Sequence, residues 1–272
     1  MINPYIFELG EFKIKWYSVL ILISIIISAV FIVRESKKFN ITKDFIINLL
    51  FWTVVIGIIG ARIYFVAFSW DYFSENIIDI FKIWEGGLAI HGAIILGFIT
   101  IVLYCKKYKI KFALMLDIIV PFLLLSQAIG RWGNFFNQEA YGPMTTYTHL
   151  QSLHIPEFII NGMFINGNYY IPTFLFESLW CLIGCIVLLI VRHYKYTKTG
   201  QTFGSYLMWY SAFRFFIESY RQDSLMFMGF RIAQVVSVVL FTVGLVIVLI
   251  QSRKPKLEEL YNDNEKIEVL RF

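Results

Sequence analysis

Long apolar stretches alternate with short polar ones along most of the chain. A helix that crosses a bilayer needs roughly 20 mostly apolar residues. Seven stretches meet this need, approximately over 17–33, 45–68, 88–105, 112–129, 173–191, 203–219 and 232–250. The pattern therefore predicts an all-α polytopic membrane protein with about seven transmembrane helices.

Two of the intervening segments are predicted to be folded rather than to be flexible linkers. The stretch 70–84 is amphipathic and aromatic, which favours short helices lying in the membrane interface. The stretch of about 141–171 mixes aromatics with turn residues such as Pro143 and Pro156, which favours a small extracytoplasmic cap. We expect one transmembrane domain over 1–251 and a charged, solvated cytoplasmic tail over 252–272.

Composition and charge placement support this reading. The chain is 58% hydrophobic and 16% charged, with mean hydropathy +0.67, which excludes an ordinary soluble domain. Basic residues follow the first, third, fifth and last spans, so these loops should be cytoplasmic and the N-terminus outside. The net charge of +5 is explained by these basic loops, which set the orientation of the chain in the membrane. It therefore implies no nucleic-acid partner. The three cysteines lack zinc-ligand spacing, so we expect no metal and no cofactor.

Ionisable residues inside the spans are the main functional signal. Each costs about 2.5 to 3.5 kcal/mol near the middle of a span on insertion scales, so each needs a partner or a function. Tyr210, Arg214 and Glu218 are spaced by four and share one stripe of the sixth span, and Arg221 follows three residues later. The stripe indicates either a polar groove or an ion pair that ties helices together.

The run Gly130–Gly142 is polar and glycine-rich directly after an apolar span. We expect non-helical chain here, and such chain is tolerated at membrane depth only where it lines a protein-enclosed or water-filled cavity. An arginine fork matches phosphate oxygens. The candidates for holding a polar headgroup are Arg131, Asn134, Asn137 and Glu139. The alternative is an ordinary outer loop.

His91 lies just inside the third span and has glycines on both sides. Its ordinary pKa range makes it a natural proton carrier, although a lone membrane histidine is often a hydrogen-bonded core residue. Tyr17, Arg62 and Glu177 add polar groups that we expect to face the same cavity. Asp117, nearer the cytoplasmic end of its span, is interpreted as a structural partner.

Together these residues resemble the prolipoprotein diacylglyceryl transferases. The run Gly130–Gly142 is similar to that family's Gly-Arg-x-Gly-Asn-Phe-x-Asn-Gly-Glu signature and its following glycine. Further support comes from Trp16-Tyr17, Gly60-Ala61-Arg62, His91-Gly92 and the series Tyr210, Arg214, Glu218 and Arg221. The chain departs from the family pattern at Ser18 and Gln138, where glycine is usual, and at Ile171 and Phe176, where histidine and tyrosine are usual.

The resemblance implies an enzyme of the bacterial cell membrane that transfers the diacylglyceryl group of phosphatidylglycerol to the lipobox cysteine of a preprolipoprotein. A thioether forms and glycerol phosphate leaves. Arg131 and Arg214 would take the phosphate, and His91 or Tyr17 the thiol proton. The lipid-binding set is Arg131, Asn134, Asn137, Glu139, Gly142, Tyr210, Arg214 and Glu218, with Arg62, Glu177 and Arg221 in support.

Three other classes of protein fit the residues less well. A transporter or channel for an anionic solute would also bury arginine and glutamate, but the sequence shows no inverted repeat. An intramembrane protease would need a serine, paired-aspartate or zinc motif, and none is present. A purely structural membrane protein would leave the clustered polar residues unexplained.

Overall fold

The computed structural model describes residues 2–9, 12–220, 226–227, 229–254 and 260–262. Arg221, predicted as a supporting residue, lies outside the described residues. The helices are α1 Trp16–Ser36, α2 Lys43–Phe68, α3 Trp70–Glu75, α4 Ile90–Lys107, α5 Phe112–Asn137, α6 Tyr147–Ser152, α7 Glu157–Gly162, α8 Thr173–His193, α9 Gln201–Tyr220 and α10 Ile232–Ser252. Short 3-10 helices cover Lys37–Phe39, Ile77–Phe81 and Ile83–Glu85.

Three small antiparallel sheets complete the secondary structure of the described residues. The strands are β1 Tyr5–Leu9, β2 Phe12–Lys15, β3 Met144–Thr145, β4 Phe164–Ile165, β5 Asn168–Tyr170, β6 Met226–Phe227 and β7 Phe230–Arg231. β1 pairs with β2, β6 pairs with β7, and β5 lies between β3 and β4. The β1-β2 pair directly precedes α1, and the β6-β7 pair directly precedes α10.

The predicted polytopic helical architecture is confirmed. Over the described ranges, six helices are long and apolar enough to cross a membrane, namely α1, α2, α4, α5, α8 and α10. α9 occupies the seventh predicted stretch and is 20 residues long, but its polar residues make it less apolar than the other six. The count of seven is therefore approximate, and the least apolar helix is the one that carries Arg214 and Glu218.

The helices form two compact units. The first comprises residues 1–31 and 116–264 within the described ranges, and the second comprises 32–115. In the second unit α2 packs closely against α4, since a Cβ placed on Gly60 would lie 2.6 Å from the carbonyl oxygen of Gly92. In the first unit α9 meets α10 in the same way at Gly204 and Gly244. Such small residues let membrane helices approach until their backbones touch.

The expectation of non-helical chain throughout 130–142 is wrong for its first part. α5 continues without a break to Asn137, and only 138–142 leaves the helix, with Gln138 and Ala140 at positive φ. The helix persists because its aromatic residues are packed. Phe135 is 5% exposed and its ring centroid lies 4.8 Å from that of Phe174. The signature is thus presented mainly from a rigid helix end.

The segment predicted as a cap folds as α6, α7 and the β3-β5-β4 sheet. Its core contains Leu150, Ile159 and Ile160, which are nearly inaccessible, and it also includes Phe135 of α5 and Phe174 of α8. The cap therefore shares one hydrophobic cluster with the ends of two long helices. That continuity fixes the end of α5 where the signature residues lie.

The tail beyond α10 is not wholly solvated, contrary to expectation. Leu260 and Tyr261 are buried, and the Tyr261 amide donates to the carbonyl oxygen of Thr197 at 2.8 Å. Leu260 also forms a β-bridge with Lys198. Leu260 and Tyr261 are two apolar residues in a charged segment, and so short a run does not by itself predict burial. The composition of the segment therefore favoured a solvated tail.

Candidate functional site

Four ionisable side chains meet between α5, α8 and α9 in the first unit. Glu177 contacts two arginines, with Oε2 at 2.5 Å from Arg131 Nε and Oε1 at 3.6 Å from Arg214 Nη1. Arg214 Nη2 lies 2.8 Å from Glu218 Oε2, one helical turn along α9. The spacing of four predicted this last pair. The pairing of Glu177 with Arg131 and with Arg214 needs three helices and was not predicted.

The two carboxylates of this cluster are buried, whereas the two arginine side chains are partly exposed. The side chains of Glu177 and Glu218 are 7% and 3% exposed, whereas those of Arg131 and Arg214 are 21% and 20% exposed. Two positive and two negative charges balance locally. The carboxylates are thus the most buried part of the cluster, while part of each arginine side chain is accessible.

A narrow cavity of about 10 Å³ lies against these groups, lined by Arg131, Glu177, Trp180, Cys181, Tyr210, Phe213, Arg214 and Ile217. This is about the space that one water molecule needs. A larger ligand therefore has to enter by displacing side chains. Tyr210, predicted from the stripe, is at the cavity. The apolar lining residues were not predicted because nothing in their type distinguishes them from other membrane-facing residues.

The remaining signature residues cluster around the end of α5. The amide nitrogens of Asn134 and Asn137 lie 3.2 and 3.4 Å from Glu139 Oε1. The Gly142 amide donates to the carbonyl oxygen of Ile171 at 2.9 Å, and a Cβ there would lie 3.0 Å from the Ile171 side chain. Gly142 is buried and shapes the turn, while the two amides and the exposed carboxylate form a polar group.

Tyr17, at the start of α1, packs directly on the signature. A Cβ on Gly133 would overlap the Tyr17 ring, so only glycine allows this approach. The Tyr17 ring therefore lies against the end of α5 that carries Arg131. The prediction that Tyr17 faces the cavity beside the arginines stays a prediction.

His91 and Arg62 belong to the second unit. His91 is exposed at the start of α4, and its ring centroid lies 5.8 Å from that of Tyr64. Arg62 is 8% exposed and is bound by loop carbonyl oxygens, with Nε donating to Ile80 at 2.8 Å and Nη1 to Gly86 at 2.9 Å. Arg62 thus holds the segment that follows α3. The prediction that these two residues face the cavity of the first unit stays a prediction.

The segment that Arg62 holds contains its own ion pair. Asp79 Oδ1 lies 2.6 Å from Lys82 Nζ, and Tyr72 donates to Asp79 Oδ2 at 2.7 Å. The Lys82 ammonium and the Tyr72 hydroxyl hold the pKa of the Asp79 carboxyl below its ordinary value. These contacts are exposed, so we assign them to the order of the loop and not to chemistry.

Arg231 adds a cation that sequence reasoning did not select. It precedes α10, and its guanidinium donates to the backbone carbonyl of Glu218 near the end of α9. It therefore steadies the helix end that carries Glu218. The signal available in the sequence was a basic residue at the start of a span, which the loop-charge pattern assigns only to topology.

A second buried cluster lies at the opposite ends of α5 and α8. Asp117 is fully buried and accepts the amides of Gly200 at 2.5 Å and Phe203 at 2.8 Å, which caps the start of α9. Arg192 is 1% exposed, and its Nη1 is 3.5 Å from the Asp117 carbonyl oxygen, which Pro121 cannot engage in the helix. This agrees with the structural role predicted for Asp117.

Comparison with known proteins gives consistent matches along the chain. The model of the family described as prolipoprotein diacylglyceryl transferase matches residues 4–250. The phosphatidylglycerol–prolipoprotein diacylglyceryl transferase of Listeria innocua is 46% identical over 266 residues, covering 98% of this chain and 95% of its own. The proteins of the same name from Limosilactobacillus reuteri and Pediococcus pentosaceus are 47% and 45% identical, covering 93% and 95% of this chain and 92% and 93% of their own.

Proposed function

The chain belongs to the prolipoprotein diacylglyceryl transferase family, and on that premise we propose that it transfers the diacylglyceryl group of phosphatidylglycerol to the lipobox cysteine thiol of a preprolipoprotein. The bond between the third carbon of the diacylglycerol moiety and its phosphate oxygen breaks, and a bond forms between that carbon and the cysteine sulfur. Glycerol phosphate leaves, and the thiol proton passes to a base. The observation that carries the proposal is the pair of partly exposed arginines held by two buried carboxylates.

Arg131 and Arg214 bind the phosphate of the lipid in this proposal. The leaving group gains negative charge as the carbon–oxygen bond breaks, and donors fixed in a site of low dielectric stabilise that charge strongly. A guanidinium carries five N–H donors, so one that contacts a carboxylate still has the donor capacity for a phosphate. Glu177 and Glu218 position the two guanidiniums, because each carboxylate is buried and in contact with one or both of them.

The polar group at the end of α5 binds the rest of the headgroup. Asn134 and Asn137 donate to Glu139, which is exposed and can accept from the hydroxyl groups of the terminal glycerol. Tyr210 lines the same cavity as the arginines, and Gly142 shapes the turn that follows Glu139. Glu177 supports the site by contacting both arginines, and the supporting roles of Arg62 and Arg221 stay predictions.

The thiol must lose its proton, because the thiolate is the nucleophile. His91 is the first candidate base, since an imidazole is the side chain best suited to carry a proton at physiological pH. Tyr17 is the second, since its ring packs against Gly133 of the signature and it carries an ionisable hydroxyl.

The enzyme lies in the bacterial cell membrane with its N-terminus outside and its C-terminus in the cytoplasm. The basic loops after α1, α4, α8 and α10 favour this orientation. Residues 1–251 then form one catalytic domain whose cap, about 141–171, faces outward, and residues 252–272 form the cytoplasmic end. The lipobox cysteine would meet the lipid on the side of the cap.

The test is in vitro lipidation of a peptide that carries a lipobox cysteine, with purified protein and phosphatidylglycerol. Arg131→Ala and Arg214→Ala should each abolish formation of the thioether while the protein remains folded. Arg253→Ala is the matched control, because Arg253 is an exposed arginine just after α10. Full activity in both site variants would rule out the proposed role of the arginines.

A second comparison separates the two candidate bases. His91→Asn should lower turnover more than it lowers binding of phosphatidylglycerol, because the base acts on the thiol and not on the lipid. Unchanged turnover in His91→Asn would transfer the role to Tyr17, where Tyr17→Phe then becomes the informative variant.

A further inference from the structure

A groove of about 540 Å³ lies between α2 and α4 in the second unit. It is lined mainly by Asn48, Trp52 and Ile56 of α2 and by Leu103, Tyr104 and Lys107 of α4. Its size falls within the roughly 300–1,000 Å³ of ordinary ligand sites. The groove shares no residue with the proposed catalytic cluster.

The groove is apolar along its length and polar at one end. Trp52 and Leu103 are 47% and 60% exposed on helices that are apolar enough to cross a membrane, so these side chains face lipid. Asn48 and Ile56 are eight residues apart on α2. At a rise of 1.5 Å per residue, the groove extends about 12 Å along the helix. That length is close to the hydrocarbon depth of one leaflet, about half of a 30 Å core.

The walls of the groove are held in place. Phe45 is 1% exposed, and its ring centroid lies 5.1 Å from that of Tyr104 and 5.7 Å from that of Tyr108. The centroids of the two tyrosine rings are 4.6 Å apart. On α4, the Thr100 hydroxyl is bound to the Leu96 carbonyl oxygen at 2.8 Å. The shape is therefore preformed rather than created by a ligand.

The polar end carries positive charge. Lys107 is exposed, and within the described part of the chain it has no salt bridge; its ammonium lies 5.2 Å from the centroid of the Tyr108 ring. Lys106 precedes it and Lys43 begins α2, so the surroundings are basic as well. Asp44, the acidic residue in the first turn of α2, does not line the groove.

We propose that this groove binds one anionic glycerophospholipid, as a bound lipid that is distinct from the substrate. Its phosphate lies at Lys107 and Tyr108, where the Asn48 amide also donates, and an acyl chain follows Trp52, Ile56 and Leu103. The groove has one cationic end, and its apolar part is about as long as one leaflet is deep. These two features favour a phospholipid over a transmembrane peptide, which would extend through both leaflets.

Trp52 supplies the probe for a direct test. The purified full chain is placed in phosphatidylcholine nanodiscs that contain a small fraction of chain-brominated phosphatidylglycerol, or the same fraction of chain-brominated phosphatidylcholine. Subtracting the signal of the same protein with Trp52→Phe isolates the quenching of Trp52. The brominated anionic lipid should associate about fivefold more strongly than the neutral one, which is the effect of one lysine beside anionic lipid.

Two neighbouring lysines distinguish a site from diffuse attraction. Lys107→Gln should remove the preference for the anionic lipid, whereas Lys106→Gln should keep it, because Lys106 is exposed beside the groove but does not line it. Equal quenching by the two brominated lipids in the unmodified protein would overturn the proposal. So would an equal loss of preference in both lysine variants, since general surface charge would then explain the result.

Discussion

The helices α5, α8 and α9 carry a charged cluster at each end, and the two clusters differ in access. At one end Asp117 and Arg192 are 0% and 1% exposed, and Asp117 caps α9. At the other end Arg131 and Arg214 keep about a fifth of their side-chain surface accessible beside a small cavity. The same three helices thus hold one closed cluster and one open cluster.

The closed cluster shows what a structural solution to buried charge looks like in this protein. The ring centroids of Phe122 and Tyr261 lie 5.5 and 5.6 Å from the Arg192 guanidinium carbon. Two backbone amides donate to the Asp117 carboxylate, and the Asp117 carbonyl oxygen lies 3.5 Å from Arg192 Nη1. The carboxylates of the open cluster are buried as well, but its two arginine side chains are partly exposed, which is the difference between the clusters. Ionisable side chains inside a membrane domain that stay partly exposed are candidates for a substrate site.

The largest effect on stability should come from the closed cluster. Asp117→Ala leaves the amides of Gly200 and Phe203 without their acceptor, which costs about 1 to 3 kcal/mol for each buried donor. We expect a large fall in the thermal unfolding temperature in detergent. Asp44→Ala is the control, because Asp44 is exposed in the first turn of α2. Equal unfolding temperatures for the two variants would contradict a structural role for the closed cluster.

The next effect concerns how the open cluster is positioned. Glu177→Gln removes the charge that contacts both Arg131 and Arg214, so the two guanidiniums repel each other and move apart. We expect kcat to fall about 10²-fold, since a displacement of about 1 Å at a catalytic group has that effect. KM should change less. Glu218→Gln, which removes the charge beside Arg214, should be milder. A purely structural role would lower stability and leave the kcat of the folded fraction unchanged.

The smallest effect should come from crowding the contact with Tyr17. Gly133→Ala places a methyl group against the Tyr17 ring, and such overpacking costs about 1 to 3 kcal/mol. We expect lower transfer activity with a modest fall in unfolding temperature. Gly130→Ala lies one turn earlier on α5 and meets no atom within 4 Å, so it should keep full activity. Equal activity in both variants would show that the position of the Tyr17 ring does not matter.

Much of the secondary structure and one ion pair of the site could be predicted from the sequence, because helix periodicity is local. The spans, the cap and the Arg214–Glu218 pair follow from patterns read within one segment. The helical state of 130–137 could not be read in this way, since Phe135 and Trp132 pack on Phe174, which lies in another helix. Tertiary packing therefore overrode the weak helix propensity of the glycines.

Contacts between distant segments could not be predicted from the sequence either. Glu177 contacts arginines on two other helices, and Asp117 caps a helix that begins more than 80 residues later. Tyr261 was assigned to a solvated tail because its neighbours are charged, yet it is buried beside Arg192. In each case residue type marked the side chain as unusual, but only the fold could supply the partner.

The central claim is that the open cluster binds the phosphate of a lipid, and the most direct test compares two lipids that differ in that group. The affinities of phosphatidylglycerol and of diacylglycerol should be measured for the unmodified protein, for Arg214→Gln and for the control Arg253→Gln. A charge-assisted hydrogen bond contributes about 1.5 to 3 kcal/mol. The unmodified protein and the control should therefore prefer phosphatidylglycerol by about tenfold or more, and Arg214→Gln should largely lose that preference. An unchanged preference in Arg214→Gln would contradict the account.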